Sequence, residues 1–291
     1  MSDTLQRFLF EQAPVRGASV HLSATWQAIL ERHEYPKPVR DLLGQMMVAA
    51  ILLSSTLKLK GKMILQMTGE GPLKLMMVEC TDGHALRGIA QCDDEIQPAQ
   101  LNELLGEGKL VITLEPEEGK ERYQSIVNLH GDSLAEALGD YLVRSEQLDT
   151  HLWLSADPQY AGGLLIQKLP GDWPDEELEL WERVSHLSAT IKDSELLHLP
   201  HTEIIHRLYH EEDVRIFETE PVCFRCTCTR DRVANMLQTL GYKEVQSTIE
   251  EQGNVHVACE FCNQKYDFDV VDVEEIFASD ITADKGNITR H

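Results

Sequence analysis

The sequence CTCTRDRVANMLQTLGYKEVQSTIEEQGNVHVACEFC occupies residues 226–262 and decides how the C-terminal part of the chain folds. It begins with the pair Cys226 and Cys228, ends with the pair Cys259 and Cys262, and 30 residues separate the two pairs. Each pair can place two sulfurs about 2.3 Å from one metal ion, and four thiolates complete the tetrahedral set of a structural zinc site. The spacing therefore predicts that these four cysteines bind one zinc ion per chain in the reduced protein.

The segment that carries these cysteines, Pro221 to His291, is too short to bury a large core of its own. A structural zinc site contributes on the order of 10 to 16 kcal/mol to the folding of such small domains. We therefore expect the loss of zinc to unfold this segment. Zinc also keeps its sulfur ligands as thiolates, the nucleophilic form, so an oxidant that reaches them could convert them into disulfides and release the metal.

Around the cysteine pairs, the pattern predicts a small mixed domain. A helix is expected from Arg230 to Leu240, ending at Gly241, and a strand from Asn254 to Ala258. A returning strand at Tyr266–Val270 and a short helix at Val273–Ala278 complete the prediction. We assign residues 221–291 to a zinc-binding redox-switch domain.

Composition and charge restrict the partners of the chain. Its 291 residues suffice for two domains, and 49 acidic against 26 basic residues give a net charge of -23, which disfavours nucleic acid and anionic membranes as partners. The sequence shows no secretion leader, and its longest apolar run, Met46–Leu53, is far shorter than the roughly 18 to 20 residues of a membrane helix. We expect a soluble, cytoplasmic protein whose seven cysteines are thiols, metal ligands or redox groups.

The N-terminal part is predicted to be an α+β core domain over residues 1–171, an α/β arrangement built on an antiparallel sheet. Residues 1–45 look mostly helical, and a further apolar helix is expected at Gln45–Leu57. Short apolar runs separated by turn residues predict antiparallel strands, and Ser133 with Glu136 predicts the start of a helix. The predicted strands are Met63–Thr68, Leu73–Cys80, Ala85–Gln91, Lys109–Leu114, Tyr123–Leu129, His151–Leu154 and Gly163–Lys168.

Residues 172–220 form an acidic segment with 14 acidic and 4 basic residues, and we interpret it as a helical linker. Its apolar residues recur at three- and four-residue spacing, which is typical of amphipathic helices. They are too few for a separate core, so these helices must lie on another domain or fold conditionally. The apolar stripe comprises Leu178, Trp181, Leu187 and Ile191, and it would become an exposed apolar surface if the segment undocked. A histidine group, His201, His206 and His210, is interpreted as an incidental cluster on a solvated helix face.

Three cysteines lie outside the four-cysteine pattern. Cys223 precedes Cys226 by three residues and could compete as a ligand or disulfide partner, although zinc has only four positions. Cys80 and Cys92 lie in or beside predicted strands, where a free cysteine usually acts as a small buried hydrophobic residue.

With CxC, a gap of 30 residues and CxxC near its C-terminal end, the chain resembles the bacterial 33 kDa chaperonin family, the redox-regulated heat-shock holdases. Length, acidity and domain order agree with this resemblance. It implies a client-binding core at residues 1–171, an inactive reduced state with zinc bound, and activation by oxidation together with unfolding. By the same resemblance, Leu178, Trp181, Leu187 and Ile191 could contact clients. It also implies disulfides joining Cys226 to Cys228 and Cys259 to Cys262, a homodimer when oxidised, and binding of unfolded client proteins without ATP or catalysis.

The residues alone leave two other classes of function open. Four-cysteine modules often serve in zinc-ribbon-like nucleic-acid adaptors, but residues 221–291 hold 12 acidic and 7 basic residues and no basic stripe. A thiol-disulfide oxidoreductase could use Cys259 and Cys262, but the expected βαβ context is missing. An esterase-like block at residues 131–134, GDSL, is better explained by Ser133 as a helix cap.

Overall fold

The computed structural model describes residues 2–58, 60–97, 100–117, 121–129, 132–171 and 174–278, without the side chains of 175–178. It confirms the α+β class, and the chain divides into two compact units between Arg225 and Cys226. The functional division into residues 1–171, 172–220 and 221–291 stays a prediction. Among the described residues, no helix combines the length and apolar character needed to cross a membrane.

The first unit contains two antiparallel sheets with short strands added at their edges. One sheet has the order β10-β1-β2-β9-β8, with β11 also paired to β1, and the other has the order β12-β5-β4-β3-β6-β7. The strands of the first sheet are β1 (Thr4–Phe10), β2 (Val15–Leu22), β8 (Thr150–Ala156), β9 (Ala161–Lys168), β10 (Val214–Ile216) and β11 (Glu220–Pro221). Those of the second are β3 (Gly61–Thr68), β4 (Leu73–Thr81), β5 (Ala85–Cys92), β6 (Lys109–Pro116), β7 (Tyr123–Asn128) and β12 (Cys223–Phe224).

One long helix forms the centre of this unit. It is α2 (Lys37–Thr56), it packs against strands of both sheets, and its residues from Met46 to Leu53 are all buried. Three further helices flank the core: α1 (Ala24–Leu30), α3 (Leu101–Leu105) and α4 (Leu134–Arg144). The predicted apolar helix at Gln45–Leu57 is therefore confirmed, and burial of residues 46–53 on all sides explains why this stretch of α2 lacks a polar face.

The strands predicted between Met63 and Lys168 are confirmed within a few residues at each end. The predicted helix start is also present, because the Ser133 hydroxyl accepts a hydrogen bond from the Glu136 amide at 3.2 Å. The mostly helical prediction for residues 1–45 is wrong over its first half, where β1 and β2 form a hairpin. In β2 nearly every residue is buried, because core packs on both faces of the strand, so the alternation that indicates a strand is absent.

The acidic segment contributes three helices to the first unit, namely α5 (Asp175–Ser188), α6 (Asp193–His198) and α7 (His201–Tyr209). They pack on the face of the first sheet that points away from α2 and form a second apolar cluster there. Its fully or nearly fully buried members are Phe8, Phe10, Ala13, Val15, Leu164, Ile166, Leu180, Val184, Leu196, Ile204, Ile205, Leu208 and Tyr209.

The proposed contact stripe lies along the border of this cluster. Trp181, Leu187 and Ile191 are partly buried against it, and the Trp181 ring stacks on His151 with ring centroids 5.3 Å apart. Leu178 belongs to α5, but its side chain lies outside the described part of the structure. At the other end of the helices, a Cβ atom on Gly162 of β9 would lie 2.4 Å from the Leu196 carbonyl oxygen, so only glycine permits this approach.

The interpretation of the histidine group as a solvated cluster is wrong for His201. Its ring lies under α7, where Nε2 is 3.0 Å from the Thr4 hydroxyl and Nδ1 is 2.9 Å from the Ser19 hydroxyl. His206 and His210 are exposed, as expected. The difference arises because His201 is the first residue of α7 and faces the sheet, which the spacing of the three histidines did not reveal.

The second unit is small and built around a few apolar side chains. Its elements are α8 (Arg230–Leu240), α9 (Tyr242–Gln252), β13 (Val255–Ala258), β14 (Lys265–Phe268) and α10 (Val270–Ile276). The buried apolar residues of this core are Val233, Leu237, Val245, Val255, Phe268, Val273 and Phe277. The helix ending at Gly241 and the strand pair are confirmed, whereas α9 was missed because it begins directly after that glycine.

Candidate metal centre

Two parts of the second unit bring the four cysteines together. Cys226 and Cys228 lie in the extended chain before α8, whose first turn is capped by the Thr229 hydroxyl. Cys259 and Cys262 lie in the turn between β13 and β14. In this turn the Cys259 carbonyl accepts hydrogen bonds from the amides of Cys262 and Asn263, at 3.3 and 2.8 Å. The helix start and the hairpin turn therefore fix one cysteine pair each.

The four Sγ atoms lie within 4.8 Å of one another. The distance from Cys226 to Cys259 is 3.7 Å and that from Cys228 to Cys262 is 3.4 Å, both measured between sulfurs. Sulfurs about 2.3 Å from a tetrahedral zinc ion are separated by about 3.8 Å, whereas disulfide sulfurs are about 2.05 Å apart. The cluster thus has the shape of a four-thiolate metal site, and it can hold a metal ion.

The electrostatics of the cluster oppose ionisation of the bare thiols. Burial, followed by hydrogen bonding among the neighbouring thiols, raises the pKa of Cys262 well above its usual value. Burial also raises the pKa of Cys259. Because adjacent thiolates repel one another, a bound cation offsets this cost and favours the deprotonated sulfurs.

A tyrosine that the sequence analysis did not identify contacts the cluster. The Tyr266 hydroxyl donates a hydrogen bond to Cys228 Sγ at 3.2 Å. This hydrogen bond is the first cause that raises the pKa of Tyr266, to about 12. Tyr266 lies in β14, four residues after Cys262, and only the pairing of β14 with β13 brings it beside the first cysteine pair. A donor of this kind stabilises charge on the sulfur and makes it less nucleophilic.

The other three cysteines belong to the first unit. Cys223 is exposed in β12, and among the described residues the metal-binding group contains only the four predicted cysteines. Cys80 is fully buried, and burial raises its pKa to about 11, which makes it a poor nucleophile. Cys92 is half-buried, and burial raises its pKa as well.

Comparison with known proteins finds similarity over nearly the whole chain. The family model described as Hsp33 protein matches residues 3–269. The 33 kDa chaperonin of Nitrosococcus oceani is 47% identical over 99% of both chains, and that of Methylobacillus flagellatus is 45% identical over 100% of this chain and 99% of its own. The crystal structure of the 33 kDa chaperonin from Thermotoga maritima shares the fold, with a TM-score of 0.82 over 96% of this chain and 99% of that chain at 22% identity.

Proposed function

The chain belongs to the Hsp33 protein family, and we propose that it is a redox-regulated chaperone that binds unfolding proteins without ATP. Its similar relatives are named 33 kDa chaperonins, which agrees with an action by binding and without catalytic turnover. We place this action in the cytoplasm, where reducing conditions keep the four cysteines as metal ligands until an oxidant is present.

The observation that carries the proposal is the four-sulfur cluster in a unit whose core contains few buried side chains. The residues fit zinc, because zinc takes four thiolates in closed structural sites. When bound, zinc holds the four sulfurs together and stabilises the fold of the unit. Cys226 and Cys228 would then hold the start of α8, and Cys259 and Cys262 would hold the β-hairpin.

Oxidation would remove this support. In each pair, one sulfur attacks peroxide and forms a sulfenic acid with loss of one water, and the second sulfur displaces another water and closes the disulfide. Each disulfide thus costs two electrons and one peroxide, which is reduced to two waters. The proposed pairs are Cys226 with Cys228 and Cys259 with Cys262. Sulfurs joined within pairs cannot serve as four thiolate ligands, so zinc leaves and the unit unfolds.

The proposed consequence is the exposure of apolar surface for clients. The helices α5, α6 and α7 cover one face of the first sheet, and their border residues Trp181, Leu187 and Ile191 are only partly buried. We propose that these residues, with Leu178, contact clients once the linker loosens, and that the oxidised protein is a homodimer. Residues 1–171 would form the client-binding core and residues 221–291 the switch.

The test measures zinc content, free thiols and client protection on the same samples, before and after treatment with peroxide at mild heat. We expect about one zinc per chain to be released, four thiols to be lost, and light scattering by an unfolding client to fall only with the oxidised samples. Oxidised, zinc-free protein that does not suppress client aggregation would refute the proposed function. Catalytic reduction of insulin disulfides or salt-sensitive RNA binding would instead support the alternative classes.

A further inference from the structure

The chain between α7 and the first ligand cysteine covers the edges of both sheets in the first unit. We call residues 213–225 the edge segment. Its strands β10 and β11 pair antiparallel with β1, where Phe8 lies opposite Ile216. Its strand β12 pairs in parallel with β5, where Leu86 lies opposite Phe224. Without this segment, β1 and β5 would each have a neighbouring strand on one side only.

Backbone hydrogen bonds attach the edge segment to β1. The Phe217 amide donates to the Arg7 carbonyl at 3.0 Å, and the Val222 amide donates to the Asp3 carbonyl at 3.0 Å. In the reverse direction, the Glu11 amide donates to the Asp213 carbonyl at 2.9 Å. These are the groups with which a sheet edge accepts any extended chain, because they do not depend on side-chain identity.

Backbone hydrogen bonds also attach the segment to β5. The Cys223 amide donates to the His84 carbonyl at 3.3 Å, and the Arg225 amide donates to the Leu86 carbonyl at 2.9 Å. The same short segment therefore covers one edge of each sheet.

Few side chains attach β10 and the residue after it: Val214 is partly buried against the second apolar cluster, and Arg215 forms an ion pair with Glu11 at 2.5 Å. Ile216 and Phe217 are 42% and 44% exposed, although both are large apolar residues. Val222 is buried, and Phe224 packs its ring under the Arg32 guanidinium. A strand with few buried side chains belongs to the part of a fold that opens locally before the core does.

One carboxylate anchors the middle of the segment. Glu220 accepts hydrogen bonds from Arg7 at 2.6 Å and from His84 Nε2 at 3.1 Å. The segment ends at Arg225, and the next residue is the ligand cysteine Cys226. A metal-bound second unit would therefore fix the chain directly beyond the segment, and unfolding of that unit would free this end.

We propose that the edges of β1 and β5 are a client-binding site, which takes an extended apolar segment of an unfolded polypeptide as an added strand. This inference rests on the proposed function and adds a binding surface to the contact stripe on the linker helices. In the reduced protein the edge segment occupies the site. In the oxidised protein the freed segment leaves, and the client uses the same backbone groups.

The edge segment itself provides the probe. A fluorescent peptide with the sequence of residues 213–222, DVRIFETEPV, should bind the oxidised, zinc-free full-length protein and not the reduced, zinc-loaded protein. An N-methyl group at the position of Phe217 removes the donor to the strand edge. The same group at the position of Ile216 blocks an amide that points away from the edge, since amides alternate along a strand. We expect at least about tenfold weaker binding for the first peptide and little change for the second.

A matched pair of variants tests the covering of the edge in the reduced, zinc-loaded protein. Glu220→Gln removes the charge that binds Arg7 and His84, whereas Glu218→Gln removes an exposed charge two residues away. Peptide binding by reduced Glu220→Gln should exceed that of Glu218→Gln severalfold. Equal peptide binding by the two variants would show that the edge segment does not block the strand edges, and it would overturn the proposal.

The decisive measurement is competition with a client. Excess unmethylated peptide should lower the protection of an unfolding client by the oxidised protein, and the peptide methylated at the Phe217 position should not. Client protection without sensitivity to either peptide, or equal binding of both methylated peptides, would overturn the edge site and leave the chaperone function intact. In the oxidised protein without peptide, the Glu11 amide could become protected from hydrogen exchange as the protein concentration rises. That result would assign the edge to a second copy of the chain and would also overturn the proposal. Absence of client protection in every sample would instead refute the proposed function.

Discussion

We expect His201 to make the packing of α7 on the first sheet dependent on pH. Its ring is largely buried between the Thr4 and Ser19 hydroxyls, and burial lowers its pKa to about 4. The nearby ring of His21 also lowers this pKa. His21 Nε2 donates a hydrogen bond to the Leu197 carbonyl at 2.9 Å. Protonation of His201 would therefore place a positive charge near His21, and among the described residues neither ring has a carboxylate in direct hydrogen-bond contact.

The sign follows from the direction of the shift. A histidine whose pKa is lower in the folded protein favours the neutral ring, so stability is complete above the unfolded pKa and falls as the pH drops toward the folded value. With values of about 6.5 unfolded and about 4 folded, the loss between pH 7 and pH 5 is about 2 kcal/mol. The equilibrium constant for opening of α7 should therefore be roughly 20-fold larger at pH 5 than at pH 7.

The assay is amide hydrogen exchange of α7 and β2 at pH 7 and pH 5, with each rate normalised to the intrinsic rate at that pH. His201→Gln retains hydrogen-bonding groups but cannot titrate, so its opening equilibrium should change far less between the two pH values. His198→Gln, in the neighbouring α6, is the control and should keep the response of the unsubstituted protein. Acid also protonates metal-bound thiolates, but this effect is common to all three proteins. An equal pH response in His201→Gln would refute the assignment to His201.

Three further predictions concern the metal site and the linker helices. Cys262→Ser should lose bound zinc and give a second unit that is digested rapidly by protease, whereas Cys223→Ser should keep about one zinc per chain. Tyr266→Phe removes the hydroxyl that donates to a ligand sulfur, so peroxide should release zinc severalfold faster; an unchanged release rate would contradict the role of that hydrogen bond. Gly162→Ala forces α6 away from β9 and should lower the thermal midpoint and raise client protection without oxidant, whereas Gly83→Ala, with open space around its Cβ position, should change neither.

Local patterns of the sequence account for much of the fold. The four cysteines, the Ser133 cap, the glycine that ends α8 and the alternating strands from β3 to β7 were all predictable, because each depends on residues close together along the chain. The metal ligands were also predictable from local patterns, since two short cysteine pairs indicate a tetrahedral site before any fold is known. The helix α9 escaped prediction although its apolar residues have helical spacing, because the preceding glycine suggested an end and not a boundary between two helices.

Long-range packing determined the remaining features. Residues 4–22 form strands because both faces of β2 meet a core, one from α2 and one from the linker helices, and no local pattern records this. Tyr266 reaches a ligand sulfur only through the pairing of β14 with β13. The sequence by itself determined which residues can bind the metal. Only the tertiary structure decided that His201 packs against the first sheet and that the edge segment covers one edge of each sheet, because these features depend on contacts between residues about 200 and about 140 positions apart in the chain.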